Sequence, residues 1–249
     1  MRVSGGVDVV FEAPRWSERW VLEDGVTMPE GPEHQQTTEL LSSVLRAWID
    51  RTARDASALV NVAVRWDKRH PKMGVDPDVC LVEPALPKGE KSVRTWIDGH
   101  HAPRVAVEVV SQDSAEKDYV DSPQRYAANG TRELWVFDPE RYGSANVGGP
   151  WVLQVWRRTG AEAFRRTYAG DGPAYSEELG AWLVVTDEGT RLRLADDEAG
   201  ERLWWTRAEA ADARAEAADA RADAEKARAE AADVELAQAR AELAALRRR

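Results

Sequence analysis

The chain has 249 residues, 43% hydrophobic and 31% charged, and 44 acidic against 34 basic side chains give a formal charge of −10. That length supports one packed domain plus an appendage, and the single cysteine, Cys80, excludes an internal disulfide framework and a cysteine-based zinc cluster. The acidic balance is not confined to one region: residues 208–249 hold 10 acidic and 8 basic side chains, leaving −8 on the rest, which weighs against a strong generic DNA clamp built on clustered Lys and Arg.

No apolar run follows a basic start and none reaches membrane-spanning length, so the expectation is a cytoplasmic protein with no membrane partner. The eleven tryptophans are scattered, which suits core and anchor roles better than a stacking platform.

The first 30 residues are irregular apart from a short extended candidate over Trp20 to Thr27, and Met28-Pro29-Glu30-Gly31-Pro32 marks a break. From His34 to Asp50 the residues Leu40, Leu41, Val44, Leu45, Trp48 and Ile49 recur at helical spacing, predicting an amphipathic helix. Strands are predicted at Ala58 to Trp66, Pro77 to Val82 and Arg104 to Val110. The last is nearly all apolar and β-branched, as a strand buried on both faces would be, yet Glu108 stands in its midst. A short helix from Ser122 to Asn129 stops at Gly130. A strand over Arg132 to Phe137 ends at Asp138-Pro139, and four more are predicted at Trp151–Arg157, Phe164–Tyr168, Trp182–Val185 and Arg191–Leu194. The order implies an α/β (α+β) fold: a mixed sheet with one or two helices on a face, and added antiparallel strands after it.

From Ala208 six heptads run back to back, beginning AEAADAR. Ala208, Ala215, Ala222, Ala229, Leu236 and Leu243 fall on position a, and Ala211, Ala218, Glu225, Ala232, Ala239 and Leu246 on position d. Alanine, Arg, Glu and Lys are strong helix formers, so a long helix is expected. It is either a coiled coil or a solvated helix that never pairs, because alanine seams bury little apolar area.

Asp78 and Glu108 are carboxylates on strands predicted to be adjacent. Two such groups close together repel unless a cation sits between them, and a hard divalent ion takes one or two carboxylates plus waters. Each acid also has a plainer reading, as a strand-end residue in solvent or an arginine's partner. His70, His100 and His101 sit in turn-like segments and read as solvated loop histidines, without zinc-site spacing.

Three stretches carry a resemblance. Pro77-Asp78-Val79, then the run from Ala102 to Ser111 with Glu108 inside it, then the run from Tyr126 to Pro139 with Gly130 and Trp135-Val136-Phe137-Asp138-Pro139, resemble as an ordered set the Uma-two family of restriction endonucleases in the PD-(D/E)XK superfamily. The similarity covers roughly residues 20–205. It implies a restriction-endonuclease-like central mixed sheet flanked by helices over residues 1–205, with a C-terminal alanine-rich helix over 206–249.

The resemblance further implies Asp78 and Glu108 as ligands of Mg²⁺ or Mn²⁺, with a backbone carbonyl from Val109 or Val110. It draws His34 into the site, where the alternative is a helix-start residue bonded to backbone. The superfamily lysine two residues after the glutamate is here Val110. The lysine that the family carries on the following helix aligns with Ser122. Lys117 is the nearest alternative cation, read either as reaching the site or as a solvated loop residue, and Asp118 matches an acidic position of the family.

The expected function is a metal-dependent endonuclease hydrolysing DNA phosphodiester bonds, with Asp78, Glu108, Lys117 and His34 in the catalytic set and Arg104 and Arg125 as further candidate cations. The alternative is a catalytically inactive nuclease fold that binds partners. In either case the C-terminal helix is expected to pair two or more copies.

Overall fold

The computed structural model describes residues 10–12, 18–22, 31–143, 145, 149–161 and 163–248. The chain divides into two compact units, Met1–Trp204 and Trp205–Arg249.

In chain order the first unit holds β1 (Val10–Glu12), α1 (Pro32–Thr52), β2 (Ser57–Val60), β3 (Val64–Arg65), β4 (Val79–Val82), β5 (Val93–Arg94) and β6 (Val105–Val109). A π turn (Lys117–Asp121) then leads into α2 (Ser122–Asn129) and β7 (Glu133–Phe137). β8 (Leu153–Arg158), β9 (Ala163–Gly170), β10 (Ala174–Ser176), β11 (Ala181–Thr186) and β12 (Arg191–Ala195) complete it.

Seven strands form the central sheet in the order β1-β9-β8-β7-β6-β4-β2. Its neighbours are antiparallel except β6 and β7, which run parallel. A parallel pair needs a crossover, and the π turn with α2 supplies it. The sheet is therefore mixed. β10, β11 and β12 form a separate antiparallel sheet, and β3 pairs with β5 in parallel.

Side chains of successive strand residues point to opposite faces, so the sheet builds two cores. Val79, Leu81, Val105, Val107, Trp135 and Phe137 pack on one face with Leu41, Val44, Leu45 and Trp48 of α1 and with the small sheet. Cys80, Ala106, Leu134, Val136 and Trp156 pack on the other with Tyr119, Tyr126, Ala127, and Val64, Val75 and Val93 from around β3 and β5. Helices thus cover both faces of the sheet.

Buried polar clasps hold the layers. Glu133 accepts from Trp135 Nε1 at 2.7 Å, Arg157 Nε at 3.3 Å, the Glu177 N–H at 3.1 Å and Ser176 Oγ, which ties the small sheet to the large one. Arg158 donates to the carbonyls of Tyr126, Ala127 and Thr131, satisfying the open end of α2. Gly130 closes that helix at φ 93°, as the sequence predicts.

Several expectations change. The strand predicted over Ala58–Trp66 breaks at Asn61, whose φ of 51° lies in the left-handed region that Asn tolerates. Trp66 lies beyond the short β3. Residues 23–27 of the first extended candidate, and 28–30 of the break, lie outside the described residues. His100 is not solvated but 5% exposed, its Nδ1 accepting the Arg94 N–H at 3.0 Å to brace a turn. Asp138 does end its strand, and it is also buried, accepting from Tyr119 Oη at 2.8 Å and from the N–H groups of Tyr142 and Gly143.

The second unit contains α3 (Arg207–Leu246), 40 residues long. Thr206 opens it with a capping box: its hydroxyl accepts the Glu209 N–H at 3.2 Å while the Glu209 carboxylate accepts the Thr206 N–H at 2.7 Å. Its apolar residues Val234, Leu236, Leu243 and Leu246 are exposed. No described helix is long and apolar enough to cross a membrane.

Candidate active site

The register of β4 on β6 decides the site. Val79 pairs with Val107, Cys80 with Ala106 and Leu81 with Val105. One step back along β4, Asp78 therefore comes opposite Glu108. Directly opposed residues of an antiparallel pair bring their Cβ atoms to roughly 5 Å, where like charges destabilise each other.

Each carboxylate is held. Asp78 Oδ2 accepts the Val109 backbone N–H at 2.6 Å, and Asp78 Oδ1 lies 3.4 Å from His34 Nε2. His34 sits in the first turn of α1, where Pro32 presets the helical φ. Glu108 is 1% exposed. Its Oε1 accepts from Tyr126 Oη at 2.7 Å and from Ser122 Oγ at 3.5 Å. Its Oε2 lies 3.8 Å from Lys117 Nζ.

Lys117 therefore reaches the site, although its side chain is 44% exposed. It opens the π turn, in which the Ser122 N–H donates to the Lys117 carbonyl. Ser122 Oγ and Lys117 Nζ, from the two ends of this i→i+5 hydrogen bond, both approach Glu108. Ser122, where the resemblance places a lysine, thus faces Glu108, and Lys117 brings an ammonium to the same carboxylate from one turn earlier. Asp118, also buried, takes Lys117 Nζ at 3.0 Å and Ser114 Oγ at 2.6 Å.

Burial pushes Glu108 up to about 8, against the pull of Lys117, and the charges of Asp118 and Asp78 add to the rise. Asp118 is raised as well, chiefly by burial. Lys117 is raised by the Glu108 carboxylate, then by Asp118. Tyr126 is driven well above the usual phenol range by burial and by Glu108, so it remains a donor. Fully ionised, the cluster would hold more negative charge than one lysine can neutralise, and these upward shifts are the response that a bound cation would reverse.

Of the residues singled out from sequence, His34, Asp78, Glu108, Lys117 and the Val109 backbone come together. Arg104 does not. It lies at the other end of β6, bonded to Glu83 at 2.7 Å and to the Glu178 carbonyl at 2.9 Å. Sequence reasoning assigned no role to Tyr126, Asp118 or the Ser122 hydroxyl. Their four-residue spacing was the available signal, because it stacks three polar groups along one helical face beneath Glu108. Among the described residues, no group of three or more His, Cys, Asp or Glu side chains is arranged to hold a metal ion. Any ion here would rest on two carboxylates, backbone and water.

A family model described as "Putative restriction endonuclease" matches residues 16–169, a span that contains every residue of this cluster. The chain belongs to the Uma2 family. The match ends before β10, so the small sheet and α3 of this Uma2 protein lie outside it. Among solved structures it is similar to a "putative nuclease" from Anabaena variabilis, with 17% identity, a TM-score of 0.42, and coverage of 61% of this chain and 76% of that one. No curated protein matches it.

Proposed function

We propose that this Uma2 protein is a divalent-metal-dependent endonuclease that hydrolyses DNA phosphodiester bonds. The observation that carries the reading is the opposed pair Asp78 and Glu108, with Lys117 Nζ 3.8 Å from Glu108 Oε2. Membership of the family supports the reaction class.

The residues fit a hard cation such as Mg²⁺ or Mn²⁺. Two carboxylates face each other, and hard ions accept one or two carboxylates plus waters; burial raises Glu108 to about 8, and a bound cation would favour its ionised form. Asp78, Glu108 and the Val109 carbonyl would hold the ion. When bound, it would supply an activated water and charge stabilisation at the phosphorus.

The chain's own groups do the rest. Tyr126 fixes Glu108 Oε1, so that Oε2 is the oxygen turned to Lys117. The Val109 N–H fixes Asp78 Oδ2. Lys117 Nζ, anchored by Asp118, is the cation for a non-bridging phosphate oxygen. We assign proton exchange to His34 Nε2, against Asp78 Oδ1. In this reading the enzyme is cytoplasmic, residues 1–205 form the nuclease domain, and residues 206–249 pair two copies as a coiled coil.

A second reading, a nuclease fold kept for binding, draws on one observation: Ser122 stands where the family lysine aligns, and Lys117 is already engaged by Asp118 at 3.0 Å. Calorimetry with Mg²⁺ and Mn²⁺ on the natural protein and on Asp78→Ala, followed by plasmid nicking, separates the two. Metal binding lost in the variant, with nicking by the natural protein, is expected. Absence of both in the natural protein would establish the binding role instead.

A further inference from the structure

We infer that the paired loops 65–72 and 88–94 form the surface that grips the DNA backbone beside the carboxylate site, an inference that rests on the nuclease reading above. Together these segments hold seven of the chain's 34 Lys and Arg but two of its 44 Asp and Glu. They carry +5, so the remaining residues carry −15. In a chain of this charge, a concentration of cations in two short segments is a region suited to phosphates.

The fold brings the two segments together. β3 pairs with β5 through Val64 with Val93 and Arg65 with Arg94, and the Thr95 N–H donates to the Arg65 carbonyl at 3.0 Å. Val64, Val75 and Val93 pack on the same face of the central sheet as Tyr126, the face toward which Glu108 alternates with Ala106 and Val110. Val75 also bridges Val64, and it precedes Asp78 by three residues. The basic loops and the carboxylate pair therefore share one face of the sheet.

Both acids in these segments are already matched by arginine. Asp67 Oδ1 accepts the Arg69 N–H at 2.9 Å and Arg69 Nε at 3.1 Å, Asp67 Oδ2 takes Arg69 Nη2 and His70 Nδ1 at 3.1 Å each, and the arginine holds the Asp67 carboxyl well below the usual range. Glu90 takes Arg94 at 2.7 Å. Lys68, Lys72, Lys88 and Lys91 are all exposed, and among the described residues none of the four forms an ion pair. The loop that presents Lys68 and Lys72 is well anchored: Met73 is fully buried, and the Lys72 carbonyl accepts the Leu22 N–H at 2.8 Å. Four exposed lysines suit backbone phosphates, which position a duplex without selecting its sequence.

The test measures anisotropy of a labelled random-sequence duplex against chelator-treated full-length protein, across a salt series. Three proteins are compared with the natural one: Lys68, Lys72, Lys88 and Lys91 all changed to Ala; the same four changed to Arg; and the exposed arginines Arg46, Arg132, Arg191 and Arg202, outside both loops and outside α3, changed to Ala. We expect the first variant to bind about tenfold or more weakly, with a salt slope shallower by about one unit for each phosphate that its lysine no longer neutralises. The other two are expected to bind like the natural protein. Equal weakening by the arginine variant would overturn the inference, since net charge alone would then explain the effect. An unchanged first variant would overturn it too, and so would a natural protein that binds no duplex at low salt. None of these failures touches metal binding at Asp78, so failure of this inference and failure of the nuclease reading remain distinguishable.

Discussion

Glu108 depends on one phenol. Tyr126 and Glu108 are both buried, and their 2.7 Å hydrogen bond is the shortest that the carboxylate makes. Removing a hydroxyl from a buried carboxylate leaves an acceptor without its donor, which costs about 1–3 kcal/mol. Tyr126→Phe is therefore expected to lower stability in urea by about that amount, and to weaken Mn²⁺ binding by about tenfold or more because groups behind a ligand orient it. Calorimetry and a urea melt on the same sample check both. A variant with normal metal affinity would mean that Ser122 alone positions Glu108.

The same residue sets a pH dependence. The ordinary value for glutamate is 4.5, and burial lifts Glu108 to about 8 in the folded chain. Between those values the folded state keeps a proton that the unfolded state has released. Stability is thus full below 4.5 and falls as pH rises through 8, by up to about 1.4 kcal/mol per pH unit. Asp118 and Glu133 are raised too and act with the same sign. Urea melts of the metal-free protein should show this decline, and Glu108→Gln should flatten it. A stability that rises between weakly acidic and weakly alkaline pH in both proteins would show that Glu108 ionises freely where it lies.

At the scale of elements, α2 carries Tyr126 and Ser122 and is held at its far end by a side chain from another strand. Arg158 reaches from β8 to the carbonyls of Tyr126 and Ala127 at 2.9 and 2.8 Å, and to Thr131 at 2.8 Å. Arg158→Met keeps much of the stem but strands three carbonyls, so a destabilisation of about 2–3 kcal/mol is expected, read as a lower urea midpoint. Amide exchange should quicken first in residues 122–129, because the deleted bonds close that helix.

The elements also show what a sequence can and cannot disclose. α1, β4, β6, β7, α2 and α3 were legible because each carries a clear period or a buried apolar run, and Gly130 marks its stop. β5 was not, since two residues carry no period, and β3 was read as the end of one longer strand from Ala58 to Trp66. The π turn was missed for a related reason: its i→i+5 bonding matches neither the 3.6-residue nor the two-residue pattern. That is why Lys117 read as a loop residue, although the turn is what delivers it to Glu108. Asp78 and Glu108 were each visible as acids in strands. Their direct opposition was not, because it follows from the β4–β6 register, and register depends on a pairing that local sequence does not contain.

At the scale of the whole molecule, charge is the organising feature of α3. If two copies pair in parallel with the heptads in register, position g of one faces position e of the next heptad in the other. Arg214 then meets Asp219, Arg228 meets Asp233, Glu235 meets Arg240 and Glu242 meets Arg247, while Arg221 against Lys226 is the like-charged exception. Each exposed pair contributes little, about 0.2–1 kcal/mol, so the leucines at the distal end must anchor the pair. Leu236, Leu243 and Leu246 are between 49% and 66% exposed in the single chain, and burying such side chains stabilises by about 1.5–3 kcal/mol each. Changing all three to Asp in the full-length protein is expected to convert a concentration-dependent dimer into a monomer by sedimentation. Glu225 should act the other way. In such a pair it would place a carboxylate at a d position opposite its own copy, and Glu225→Leu is expected to tighten the dimer. A monomeric mass for both the natural protein and Glu225→Leu would mean that α3 is a solvated helix that does not pair. A dimer that survives the three aspartates would place the interface outside the heptads.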